Sequence, residues 1–103
     1  MKYQLALQFP GRSEADYRAM VSLEAAVIAA LADTAEVDGH GVGPDAINLF
    51  IFTDDPAATF EQVKPLLERR EQLEWVTAAY REVDADHYTV IWPTDWRKEF
   101  RIA

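Results

Sequence analysis

Asp45-Ala46-Ile47-Asn48-Leu49-Phe50-Ile51-Phe52-Thr53-Asp54-Asp55-Pro56 is the stretch whose reading decides the fold: a buried strand that runs directly into the start of a helix. Ile47, Leu49 and Ile51 fall on one side of an extended chain and Asn48, Phe50 and Phe52 on the other. Both faces therefore carry large groups, as in a central strand. Thr53, Asp54 and Asp55 then supply capping oxygens, and Pro56 fits the first helical position.

Upstream, Tyr3, Leu5, Leu7 and Phe9 alternate with Lys2, Gln4, Ala6 and Gln8, the period of a strand with one apolar and one mixed face. Pro10-Gly11 ends it. Ser13 with Asp16 three residues on makes a capping box, Asp standing for the usual Glu or Gln, and predicts a helix to about Asp33. Tyr17, Met20, Val21, Val27, Ile28 and Leu31 gather on one side of that helix, with Glu24 in the middle of the stripe. Ala19, Ala26, Ala29 and Ala30 make the opposite side smooth, which alanine's helix propensity explains. Gly39, Gly41 and Gly43 signal a turn or bulge. Residues 35–40 read as a short edge strand hairpinned to the central one, with Val37 toward the core and Glu36, Asp38 and His40 on the other face.

Downstream, a second helix buries Phe60, Val63, Leu66 and Leu67, and Pro65 is expected to kink or split it. Residues 73–83 and 87–92 read as two strands joined by Asp84-Ala85-Asp86. Pro93 stops the last strand, and residues 93–103 form a tail that packs Trp96 and Phe100 against the body. The order is that of an α+β, ferredoxin-like βαββαβ plan with an extra C-terminal strand, all in one domain. In this reading the first and third strands lie side by side and parallel at the centre, and the helices cover one face. By parity the open face carries Gln4, Ala6, Gln8, Asn48, Phe50, Phe52, Glu36, Asp38 and His40. Two neighbouring phenylalanines there call for a cover.

The Gly39-His40-Gly41 turn followed by Asn48-Leu49-Phe50-Ile51-Phe52-Thr53-Asp54-Asp55-Pro56 resembles a group of small bacterial proteins of unassigned function. The resemblance covers the middle of the chain. It implies a ferredoxin-like fold, draws attention to His40 and Asn48, and implies no substrate.

The chain has 103 residues, half of them apolar, enough for one core. It has no cysteine, which removes disulfides, thiol nucleophiles and thiolate-bound metals. A net charge of −8 repels phosphate backbones and anionic lipid, so neither nucleic acid nor membrane is an expected partner. The alternating N-terminus lacks the apolar run of a signal peptide or a membrane span, and a soluble cytoplasmic protein is expected.

Candidate chemistry is confined to a few groups. Glu36, Asp38 and His40 alternate on one strand and present two carboxylates and an imidazole, with Asp38 and His40 the candidate metal ligands. Charge on an edge strand also serves to prevent unwanted strand pairing. Glu24 amid apolar neighbours is either a functional carboxylate or one held by a tyrosine, tryptophan or arginine at the rim of the core. Asp54 and Asp55 are read as cap and helix-dipole partners, and His87 as solvent-facing. No phosphate loop, nucleophile elbow or dinucleotide fingerprint occurs, so no cofactor is expected.

These residues point first to a binding or regulatory module acting through the open sheet face, with Phe50, Phe52, Gln4, Gln8, Glu36 and Asp38 as its surface. The partner is a protein or a second copy of the chain. An immunity-type protein that neutralises a basic toxin fits the size and charge. The enzymatic alternative is a dimeric ferredoxin-like enzyme in which His40 or Asn48 polarises a small substrate. The plainest alternative leaves no site, because the tail fills the open face through Trp92, Trp96 and Phe100.

Overall fold

Residues 1–96 and 98–102 are described by a computed structural model; Arg97 and Ala103 lie outside the described residues. Two alternating strands of eight residues each, β1 (Tyr3–Pro10) and β3 (Ala46–Thr53), form the centre and pair along their whole length from Tyr3↔Thr53 to Pro10↔Ala46. β2 (Glu36–Val42) flanks β3; β4 (Thr77–Glu82) and β5 (Thr89–Trp92) extend the sheet from β1. The order is β2-β3-β1-β4-β5, and every pairing is antiparallel. With α1 (Glu14–Leu31) and α2 (Pro56–Arg69), this is an α+β structure of element order βαββαββ.

The expected parallel pairing of the first and third strands is corrected here, and connectivity gives the reason. The α1 crossover returns the chain so that β2 runs the same way as β1. The short connection after Val42 reverses it, so β3 must run against β1.

α1 starts at the Ser13–Asp16 capping box, in which each side chain accepts from the other residue's backbone N–H. Its buried residues are Met20, Leu23, Val27 and Leu31. Tyr17, Val21 and Ile28, read as part of the core stripe, remain 43%, 43% and 53% exposed. The helix is turned toward Leu23, so Glu24 stands at the margin of the core and not in its middle. α2 starts at Asp55, whose side chain accepts from the N–H of Ala58. It continues through Pro65 as one element. Pro65 and Glu61, whose carbonyl loses its partner there, are both exposed, so water can satisfy that oxygen.

One face of the sheet packs Leu5, Leu7, Phe9, Ile47, Leu49 and Ile51 against these helices as the main core. β4 is shorter than expected, because residues 70–76 make turns around Glu71 at φ 58°. Gly11 lies where the chain turns under α1; a Cβ there would come within 3.1 Å of both Asp16 and Ile47. Among the described residues no helix is long and apolar enough to cross a membrane.

The backbone N–H groups of Arg12 and Ser13 hold the Asp16 carboxyl below the ordinary carboxylate range. A folded-state pKa below the unfolded one contributes stability that is complete above the unfolded value and lost as pH falls through the folded value. Asp16→Asn should therefore lower stability near neutral pH and narrow the gap to wild type below about pH 4, measured by urea melts across pH 2–7.

Candidate functional site

β2 decides where the candidate residues point. Its register on β3 runs Glu36↔Phe52, Val37↔Ile51, then Gly39↔Phe50, His40↔Leu49 and Gly41↔Asn48. Asp38 is the extra residue of a bulge, and Gly39 at φ +137° takes a conformation that suits glycine. One extra residue inverts the parity of everything after it. Glu36 stays beside Phe52 on the open face, whereas His40 turns to the helix face. The expectation that Glu36, Asp38 and His40 share one face is thus corrected.

On the helix face His40 meets α1. Its Nδ1 lies 3.2 Å from Glu24 Oε2, and its Nε2 lies 3.4 Å from the Tyr17 hydroxyl. The Tyr17 and His40 rings meet edge to face at 5.4 Å. The His40 and Glu24 side chains are each 20% exposed. Two residues that the sequence singled out separately are therefore partners: the rim contact foreseen for Glu24 exists, but with an imidazole. A carboxylate on Nδ1 fixes the ring and leaves Nε2 toward the phenol.

The open face holds a second cluster. Ala6 and Ala79, both fully buried, form a floor, and Phe100 of the tail sits on it at 8% exposure among Phe50, Tyr88 and Val90. The Phe100 and Tyr88 rings are 5.2 Å apart. On one side, Gln4 Oε1 accepts from Tyr88 at 3.0 Å and from Arg81 Nε at 3.1 Å. On the other, Gln8 Nε2 donates to Asn48 Oδ1 at 2.9 Å and to the Arg101 carbonyl at 2.8 Å.

Asn48 is fully buried, and its Nδ2 has no acceptor among the described residues; the same holds for the buried Nε1 of Trp96. Trp96 lines a recess of about 550 Å³ between the tail and the β4–β5 hairpin, with His87, Tyr88, Phe100 and Ile102. The tail thus reaches the open face through Phe100. Trp92 goes to the helix side, packing on Phe60 and donating to the Leu73 carbonyl at 3.2 Å.

His40 and Asn48 lie on opposite faces of the sheet, so they do not converge on one substrate. Asp54 accepts from the Lys2 backbone N–H, and Asp55 caps α2. His87 is exposed. Among the described residues no three His, Asp or Glu side chains cluster to hold a metal. Arg81 was not singled out in sequence, although Thr77, Ala79 and Arg81 alternate on one face of β4; the alternative in which the tail fills the open face holds for Phe100, which sits on Ala6 and Ala79, but not for Trp92. Comparison with protein-family models, curated proteins and solved structures gave no match for this chain.

The His40–Glu24 contact should be worth about 1 kcal/mol net. A double-mutant cycle of Glu24→Gln and His40→Asn, read by chemical denaturation, should return a coupling of that size. Coupling near zero would mean that the two side chains do not hold each other in solution.

Proposed function

We propose that this chain is a small acidic binding module, ferredoxin-like in plan with β5 added beside β4, whose recognition surface is the groove on the open sheet face. Its ligand is an extended protein segment that presents an aromatic side chain to the Ala6–Ala79 floor and carbonyl or carboxylate oxygens to the groove's donors. The observation that carries this reading is the seating of Phe100, which occupies the groove in that manner. The Nδ2 of Asn48 in the groove, and the Nε1 of Trp96 in the adjoining recess, which have no acceptor among the described residues, support it. Both are donors, and both call for an acceptor that the tail leaves unsupplied.

Magnitudes favour an exchangeable tail. Burying Phe100 stabilises by about 2–3 kcal/mol, and the Gln8 bond adds about 1 kcal/mol. Ordering the backbone costs about 1–2 kcal/mol for each residue fixed. Thr94, Asp95, Lys98, Glu99, Arg101 and Ile102 are exposed and contribute little in return. A segment with one anchor in this balance yields to a ligand that keeps the anchor and also satisfies Asn48.

The test uses Phe100→Ala in the full chain and a peptide of the sequence Lys98 to Ile102. The peptide should bind the variant, shift the side-chain amide signals of Asn48 and Gln8 in NMR spectra, and bind wild type more weakly. A variant that folds and ignores the peptide, or shifts confined to another surface, would refute the groove.

A further inference from the structure

Away from the groove, three features converge on the hydroxyl of Tyr17. Tyr17 and Glu24 lie on α1 two turns apart, about 10 Å along the axis, so the phenol and the carboxylate stand in line on one side of the helix. The bulge at Asp38 turns His40 of β2 to that side. Its ring fills the interval, Nδ1 at 3.2 Å from Glu24 Oε2 and Nε2 at 3.4 Å from the Tyr17 hydroxyl. A carboxylate only accepts, so Nδ1 carries the ring proton and Nε2 keeps its lone pair toward the phenol. The His40 and Glu24 side chains are each 20% exposed, whereas Tyr17 is 43% exposed. The base is sheltered and the hydroxyl is open to a reagent.

We propose that Tyr17 is an acyl-accepting nucleophile, with His40 as its general base and Glu24 as the residue that positions the base. Hydroxyl, imidazole and carboxylate in that order are the arrangement by which an oxygen nucleophile is activated. As the phenol oxygen forms its bond to the acyl carbon of an ester, its proton passes to His40 Nε2. The C–O bond of the donor ester breaks, its electron pair leaves on the departing oxygen, and the imidazolium returns the proton to that oxygen. The products are an acyl ester on Tyr17 and a free alcohol.

The other tyrosines are placed differently. The Tyr88 hydroxyl donates to Gln4 and accepts from Arg81, and Tyr3 and Tyr80 meet edge to face at 5.7 Å. Charge selects the donor. Glu36 and Asp38 of β2 are exposed carboxylates, Arg18 beside Tyr17 is tied to Glu14 at 2.7 Å, and the whole chain carries −8. A phosphorylated donor is repelled by this field. Val21, one turn along α1 from Tyr17 and exposed, offers the acyl group an apolar neighbour. The substrate class is therefore an uncharged, activated ester.

Acetylation by p-nitrophenyl acetate at about pH 8, above the ordinary imidazole range, tests this, with the acetyl group located by peptide mass mapping. In urea-unfolded wild type, Tyr17 is fully accessible but has no base beside it. Folded wild type should acetylate Tyr17 faster than the unfolded chain by at least about 10-fold, since a positioned general base supplies about 10²–10⁴-fold. His40→Asn should remove that advantage; the smaller side chain leaves the phenol no less accessible, so the loss reports the base. In ¹⁵N spectra the wild-type His40 ring should carry its proton on Nδ1, and Glu24→Ala should move it to Nε2 and slow the acetylation of Tyr17. A folded-chain rate no higher than the unfolded-chain rate overturns the proposal. So does a stable acetyl group on His40 in place of Tyr17, or a wild-type ring with its proton on Nε2.

Discussion

The antiparallel ladder between β1 and β3 is the constraint on which the rest of the structure depends. Leu5, Leu7 and Phe9 lie across from Ile51, Leu49 and Ile47 on one face, and that face accepts both helices. The same pleat places Ala6 across from Phe50, and Gln8 across from Asn48, on the other face. A strand whose two faces both carry such groups cannot leave either fully wet without cost. With the helices committed to one side, the remaining face is covered by something smaller, and Phe100 is what covers it.

Much of this was legible in the sequence because it rests on local chemistry. The capping box at Ser13, the Asp55-Pro56 helix start, the alternation of β1 and β3 and the apolar set of α2 are short-range features, and the structure contains each of them. The face of His40 was not legible. It depends on a bulge one residue long, and three glycines announce a bulge without saying which residue is extra. The rotation of α1 was missed for a related reason. The stripe centred on Glu24 and the buried row of Met20, Leu23, Val27 and Leu31 differ by about 55°, roughly half a residue's turn, and only contact with the sheet selects between them. Pairing of Glu24 with His40 follows once both are corrected, since each correction moves one partner toward the other.

The two surfaces differ in kind. The open-face groove has a small-residue floor, polar walls and, at Asn48 Nδ2, a buried donor without an acceptor among the described residues. The α1–β2 flank carries exposed Tyr17, Val21 and Ile28 beside the exposed carboxylates of Glu36 and Asp38, and its carboxylate–imidazole contact is internal.

The −8 charge bears on the groove as well. For the groove, Arg81 is tied to Gln4 and to the carbonyls of Val83 and Ala85, so it lines the wall without offering an isolated cation. A ligand is therefore attracted by local donors, while a strongly acidic one is repelled by the whole molecule. Acidity then does not name a partner. In the proposed binding reading, the residues that would select a ligand at the groove are uncharged: Ala6, Ala79 and Asn48.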